Sequence, residues 1–139
     1  DTIDGGAGND FIRGNLGDDS ILGGSGRDNI RAGDGQDTLE GGSGKDKLDG
    51  GAGNDELKGG AGSDVFVFAE GHDVITDYTA ADDQIEMAIA LAGSDAADII
   101  ANMTTTTATG VMISFDAGNT LEINGNFTLA ELEADLSFF

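Results

Sequence analysis

The chain has 139 residues, with 27 acidic and 6 basic side chains for a formal net charge of −21, 24 glycines, one histidine, and no proline, cysteine or tryptophan. So few cations exclude a phosphate-binding face and hence a nucleic-acid partner, and the missing thiols exclude disulfide frameworks, thiolate metal centres and cysteine nucleophiles. No apolar run approaches the roughly 20 residues of a membrane helix, and no basic segment precedes a short apolar stretch at the start, so a soluble chain without transmembrane segment or N-terminal signal is expected.

Of the 24 glycines, 19 lie at or before Gly62, and they are in phase. Gly8, Gly17, Gly26, Gly35, Gly44, Gly53 and Gly62 are nine apart, as are Asp10, Asp19, Asp28, Asp37, Asp46, Asp55 and Asp64. Two residues after each aspartate stands one apolar side chain: Ile12, Ile21, Ile30, Leu39, Leu48, Leu57 and Phe66. A fixed period over seven units is the signature of a repeat architecture rather than of a flexible glycine-rich linker. Asp1 and Ile3 continue the columns backward, so the chain is expected to begin partway through a repeat and to come from a longer protein. Gly71, Asp73 and Ile75 continue them forward through a degenerate unit in which Phe68 and Ala69 replace the leading glycine pair. Beyond Ile75 no periodicity is expected.

Each unit reads as a six-residue turn followed by a three-residue strand whose middle side chain points inward. Arg13, Arg31, Glu40, Lys47, Asp49, Glu56 and Lys58 flank the inward position and belong in solvent; Phe11 and Leu22 break that rule. Two units make one coil, so alternate units stack as parallel strands about 4.8 Å apart. The expected fold class is all-β: a parallel β-roll, that is a two-sheet right-handed β-helix, over residues 1–76, then a β-rich cap with short helices over 77–139.

Stacking brings carboxylates such as Asp10, Asp28 and Asp46 within about 5 Å, where each ionised pair repels by roughly 3 kcal/mol at an effective dielectric near 20. No Lys or Arg column runs in register with them. A turn offering carboxylate and glycine carbonyl oxygens suits a hard cation, and a flexible cage favours calcium over magnesium, which demands tight octahedral geometry.

The pattern G-G-x-G-x-D-x-U-x, intact in Gly5 to Arg13, Gly23 to Arg31 and Gly41 to Asp49, resembles the repeats-in-toxin (RTX) family. The resemblance implies several calcium ions, about five or more, held between turn n and turn n+2 by the position-six aspartates and by backbone carbonyls of the turns. One implied row is Asp10, Asp28, Asp46 and Asp64 with Gly6, Gly8, Gly24, Gly26, Gly42, Gly44, Gly60 and Gly62. The opposite row is Asp1, Asp19, Asp37 and Asp55 with Gly17, Gly33, Gly35, Gly51 and Gly53. Asn15 and Ala32 depart from the glycine pattern; alanine tolerates positive φ poorly, so the weakest site is expected beside Ala32.

Past the repeats, Val65 to Phe68 and then Val74, Ile75 and Tyr78 read as strands. Asp73 to Tyr78, with Asp82, Asp83 and Ile85 after it, resembles the exit segment of RTX modules, which implies a further calcium at Asp73, Asp77 and Asp83. Met87 to Ala92 is apolar, and Ser94 caps an expected helix from Asp95 to Asn102 that buries Ile99 and Ile100. Thr104 to Thr107 reads as a polar lead-in to a hairpin of Val111, Ile113 and Phe115 with Leu121 and Ile123, turning at Asp116 to Asn119. Thr128 and Glu131 form a capping box for a short last helix carrying Leu129 and Leu132. The exposed-looking terminus Asp135-Leu136-Ser137-Phe138-Phe139 resembles the uncleaved signal read by type I secretion systems, which implies that apparatus as a partner and a secreted, extracellular or cell-surface location.

His72 reads as a surface turn residue with no second histidine or thiol to share a metal. No nucleophile elbow or phosphate loop is present, and the carboxylates are too regular for a catalytic dyad, so no catalytic residue is expected in this fragment. The expected function is a calcium-binding, calcium-induced folding and type I secretion module at the C-terminus of a larger secreted protein with an upstream effector domain. The alternative is a polysaccharide- or surface-binding module of a calcium-dependent adhesin or surface-layer protein.

Overall fold

The computed structural model describes residues 1–80, 82–87, 104–115 and 118–138. Two parallel sheets face each other across a thin core. One contains β1 (Thr2–Asp4), β3 (Ser20–Gly26), β5 (Thr38–Gly44), β7 (Glu56–Gly62) and β9 (Glu70–Tyr78); the other contains β2 (Phe11–Leu16), β4 (Asn29–Gly35), β6 (Lys47–Gly53), β8 (Val65–Phe68) and β10 (Gln84–Met87). Alternate units stack, as the 18-residue coil requires: Ile21 pairs with Leu39, Leu39 with Leu57 and Leu57 with Ile75, while Ile12 pairs with Ile30, Ile30 with Leu48 and Leu48 with Phe66. These position-eight side chains are buried throughout and form the core. Phe11, Leu16 and Leu22 lie exposed on the outside, with the Arg13 guanidinium 4.9 Å from the Phe11 ring centroid.

The strands are longer than three residues. Each full one covers seven, because the backbone of the turn glycines also joins the ladder, with Gly24 opposite Gly42 and Gly26 opposite Gly44. This close stacking requires glycine. At Gly26, with φ +128°, a Cβ would land on the carbonyl oxygen of Gly8 one coil earlier.

The roll does not stop at Ile75. β10 pairs in parallel with β8, Ile85 opposite Phe66, so an unrecognised unit adds one more strand. Its offset is 19 rather than 18 and the segment 77–86 has no glycine, which hides it from a period search. Two strands from farther along then extend the sheets in parallel: β13 (Thr120–Gly125) on β9, Ile123 opposite Ile75, and β14 (Leu136–Phe138) on β10, Leu136 opposite Ile85.

The expected hairpin is present as β12 (Gly110–Ser114) antiparallel to β13, with β11 (Thr104–Thr106) leading in. The last helix, α1 (Leu129–Asp135), starts at the expected capping box, in which the Glu131 N–H donates to Thr128 Oγ1 at 3.3 Å and the Thr128 N–H to Glu131 Oε2 at 2.7 Å. The Tyr78 hydroxyl donates to Asp135 Oδ2 at 2.6 Å and ties α1 to β9, while Phe127 packs edge-on against Tyr78. The terminus is not a loose exposed tail: Leu136 is buried and Phe138 packs against the core. The division between residues 76 and 77 falls inside β9. Residues 88–92, the expected helix 95–102 and Phe139 lie outside the described residues.

Candidate metal centre

The 18-residue coil places the position-six aspartates in two files. One runs Asp10, Asp28, Asp46, Asp64 and the other Asp1, Asp19, Asp37, Asp55; Asp83 extends the first and Asp73 the second. In every step from Asp10 and from Asp19 onward, Oδ1 of one aspartate accepts the backbone N–H of the aspartate a coil earlier. The bonds are Asp10 to Asp28 at 2.9 Å, Asp28 to Asp46 at 2.8 Å, Asp46 to Asp64 at 2.9 Å and Asp64 to Asp83 at 2.9 Å. On the other side they are Asp19 to Asp37 at 2.8 Å, Asp37 to Asp55 at 2.9 Å and Asp55 to Asp73 at 3.1 Å. Asp1 meets Asp19 through its ammonium group. From Asp19 to Asp83, every file member is at most 4% exposed.

The second carboxylate oxygen carries the chemistry. Oδ2 of Asp10, Asp19, Asp28, Asp37, Asp46 and Asp55 is buried with no hydrogen-bond partner. A buried charge without a partner is costly and normally either finds a cation or takes up a proton. Burial, followed by the like charge of neighbouring carboxylates, pushes Asp37, Asp46, Asp64 and Asp83 upward, Asp55 to about 6 and Asp73 to about 8, against the lowering effect of the N–H bonds. Both observations fit a file that receives a hard cation between coils. Among the described residues no three acidic or imidazole side chains converge, so an ion there would need backbone carbonyls or water beside the carboxylates to reach the usual six to eight oxygens.

The glycines of positions two and four, from Gly6, Gly8 and Gly17 through Gly24, Gly26, Gly33, Gly35, Gly42, Gly44, Gly51, Gly53, Gly60 and Gly62, all have positive φ, and Asn15 takes the same conformation at φ 82°. First-position glycines do not. They are small for another reason: a Cβ at Gly23 or Gly41 would stand 2.7 Å from Oδ2 of Asp28 or Asp46. The objection to Ala32 on φ grounds is therefore corrected, since Ala32 occupies a first position, has negative φ, and is fully buried.

Asp77 stands outside both files. Its Oδ1 accepts the N–H of Gly59 and its Oδ2 that of Gly60, each at 2.9 Å. His72 is exposed as expected, though within β9 rather than a free turn, with Nδ1 2.7 Å from Thr120 Oγ1. A second ladder was not read from the sequence. Position-five oxygens accept the N–H one coil later, Asn9 from Arg27 at 2.8 Å, Asp18 from Gln36 at 2.9 Å and Asn54 from His72 at 3.1 Å. That column is chemically mixed, Asn9, Asp18, Arg27, Gln36, Lys45, Asn54, Ser63 and His72, so it carries no periodic signal for the ladder.

The family model of the RTX calcium-binding nonapeptide repeat matches four overlapping stretches, residues 1–30, 13–48, 22–57 and 40–75. Among solved structures, the solution structure of the AlgE6R3 subunit from the Azotobacter vinelandii mannuronan C5-epimerase is 28% identical, over 96% of this chain and 80% of that one, with a TM-score of 0.44. The comparison with curated proteins returns no match.

Proposed function

Because the chain belongs to the RTX calcium-binding nonapeptide repeat family, we propose that its two aspartate files bind calcium between successive coils and that binding folds the roll. The observation that carries this reading is the set of six buried, unpartnered Oδ2 atoms, all on file members. The ligands are the carboxylates of Asp1, Asp10, Asp19, Asp28, Asp37, Asp46, Asp55, Asp64 and Asp73, with turn carbonyls among the positive-φ glycines completing each shell. Several ions, about five or more, follow from one ion per gap. Calcium supplies the positive charge that the stacked carboxylates lack. The chain's own residues do the rest: glycine backbone closes the turns, the Oδ1 bonds orient each carboxylate, and the position-eight side chains exclude water.

The roll is a calcium-binding module without catalytic machinery of its own. Residues 77–139 cap it, and the last segment serves type I secretion of a larger extracellular protein, whose upstream domain carries any enzymatic activity. Physical coupling supports that role: a chain of net charge −21 resists compaction where calcium is scarce and folds where it is millimolar. A calcium titration followed by far-UV circular dichroism and hydrodynamic radius tests the folding, with magnesium as control. Cooperative compaction specific to calcium is expected; a fold complete in chelator would refute it. Secretion is tested by deleting residues 135–139 and assaying export, with undiminished export as the contrary result.

A second reading, polysaccharide binding in an adhesin or surface-layer protein, draws on an open groove of about 690 Å³ outside β4, β6 and β8, lined by Arg31, Asp34, Lys47, Asp49, Glu70 and Glu86. Two ion pairs cross it, Arg31 to Asp49 at 2.9 Å and Lys47 to Glu86 at 2.5 Å. Polyuronate affinity of the calcium-loaded protein, lost on replacing Arg31 and Lys47, would favour this reading.

A further inference from the structure

The coil that closes the roll is built differently from those before it. Asp77 stands 18 residues after Gly59, in the column of first glycines, and Asp83 stands 19 after Asp64; no glycine lies between them. In six glycine-rich turns the file carboxylate keeps one oxygen buried and unpartnered. Here none of the four carboxylate oxygens is left over. Asp83 Oδ1 accepts the Asp64 N–H and its Oδ2 the Thr79 N–H, both at 2.9 Å. Asp77 Oδ1 and Oδ2 accept the N–H groups of Gly59 and Gly60, also at 2.9 Å.

Successive backbone N–H groups such as those of Gly59 and Gly60 form an anion-binding concavity, and the Asp77 carboxylate fills it. An ion at this turn would compete for oxygens that already serve four backbone N–H groups, and weakening these bonds is costly above all at the buried Asp64 N–H.

We propose that the turn 77–83 is closed by its own side chains and takes no cation, with Asp77 and Asp83 acting as positioning residues that end the calcium files. This rests on the calcium reading of the files, and it reverses the ligand role that the family resemblance implies for these two residues.

Ion counting on the full chain tests it. Native mass spectrometry in saturating calcium is applied to the wild type and to Asp28→Asn, Asp77→Asn and Asp83→Asn. The Asp28→Asn protein is expected to lose at least one ion. The other two keep the wild-type count and differ only in a calcium midpoint raised less than about twofold, since a tenfold loss in folding constant is shared among several ions. Loss of an ion from Asp77→Asn or Asp83→Asn overturns the proposal. A wild type that binds no calcium overturns the file reading beneath it. Should either variant fail to fold, through-hydrogen-bond NMR couplings in the calcium-loaded wild type decide the matter. Couplings from the Gly59, Gly60 and Thr79 nitrogens to the Asp77 and Asp83 carboxyl carbons are expected, and their absence refutes the assignment.

Discussion

Replacing Asp28 by asparagine in the middle of one file is expected to have opposite effects with and without calcium. Asp28 is 1% exposed; its Oδ1 accepts the Asp10 N–H at 2.9 Å and its Oδ2 has no partner. Asparagine can keep the first bond while putting an uncharged amide where Oδ2 stood. In chelator, Asp10 and Asp46 lie one strand spacing away on either side, and each ionised pair at about 5 Å repels by roughly 3 kcal/mol at an effective dielectric near 20. Removing the central charge relieves both repulsions, so the calcium-free variant should be at least as compact as the wild type. With calcium, both flanking gaps lose a charged ligand. At about 1.5–3 kcal/mol for an interaction with a charged group, the combined folding-and-binding constant falls roughly 10- to 150-fold. The assay is a calcium titration followed by circular dichroism and sedimentation, read in chelator and at saturation. An unchanged calcium midpoint, or a variant less ordered than wild type in chelator, would refute the reasoning.

The raised aspartates make the calcium-free roll acid-stabilised. Their folded-state pKa values, about 6 for Asp55 and about 8 for Asp73, lie above the unfolded value, so protonation favours folding below about pH 4 and that gain fades as pH rises through 6 to 8. In chelator, hydrodynamic radius should shrink on acidification from pH 8 to 5, and with calcium the midpoint should rise as pH falls because ions and protons compete; a pH-independent midpoint contradicts this. Gly8 and Gly26 share φ values of +130° and +128°, but only at Gly26 would a Cβ strike a neighbour, the Gly8 carbonyl. Gly8→Ala should therefore cost about 1–2 kcal/mol in backbone strain and Gly26→Ala about 1–3 kcal/mol more, measured by urea unfolding in calcium; equal costs would deny the close stacking. Tyr78→Phe removes the 2.6 Å bond to Asp135 and should destabilise the cap by about 1.5–3 kcal/mol, visible as faster amide exchange in Leu129–Asp135, with unchanged exchange as the contrary result.

The repeat was legible because three columns of unlike chemistry keep one period: glycine for close stacking, aspartate for the files and an apolar side chain for the core. Those columns also placed Asp73 correctly, since it continues the spacing from Asp55. Asp83 broke the count by a single inserted residue, and its turn uses side-chain carboxylates where earlier turns use glycine, so the last coil left no periodic trace. The ligand role expected of Asp77 comes from the resemblance of Asp73 to Tyr78 to the exit segment of RTX modules. The bonds of Asp77 to Gly59 and Gly60 depend on a coil closing over it, which composition does not reveal. The hairpin and the capping box are local patterns and were readable as such, but the parallel docking of β13 and β14 joins residues 48 and 51 apart, Ile123 with Ile75 and Leu136 with Ile85, with no repeat to mark the pairing.

The constant offset of 18 residues has a consequence for how the molecule assembles. Every repeat coil closes a loop of the same modest size, however many coils there are, so adding coils does not lengthen any loop that must be closed. Only the cap departs from this, with Tyr78 reaching Asp135 across 57 residues. Closure entropy grows as the logarithm of length, so that one contact costs about 1 kcal/mol more than a coil. Roll length is thus free to vary without slowing the topological search, while the search that sets the folding rate is confined to the short segment that meets β9 and β10.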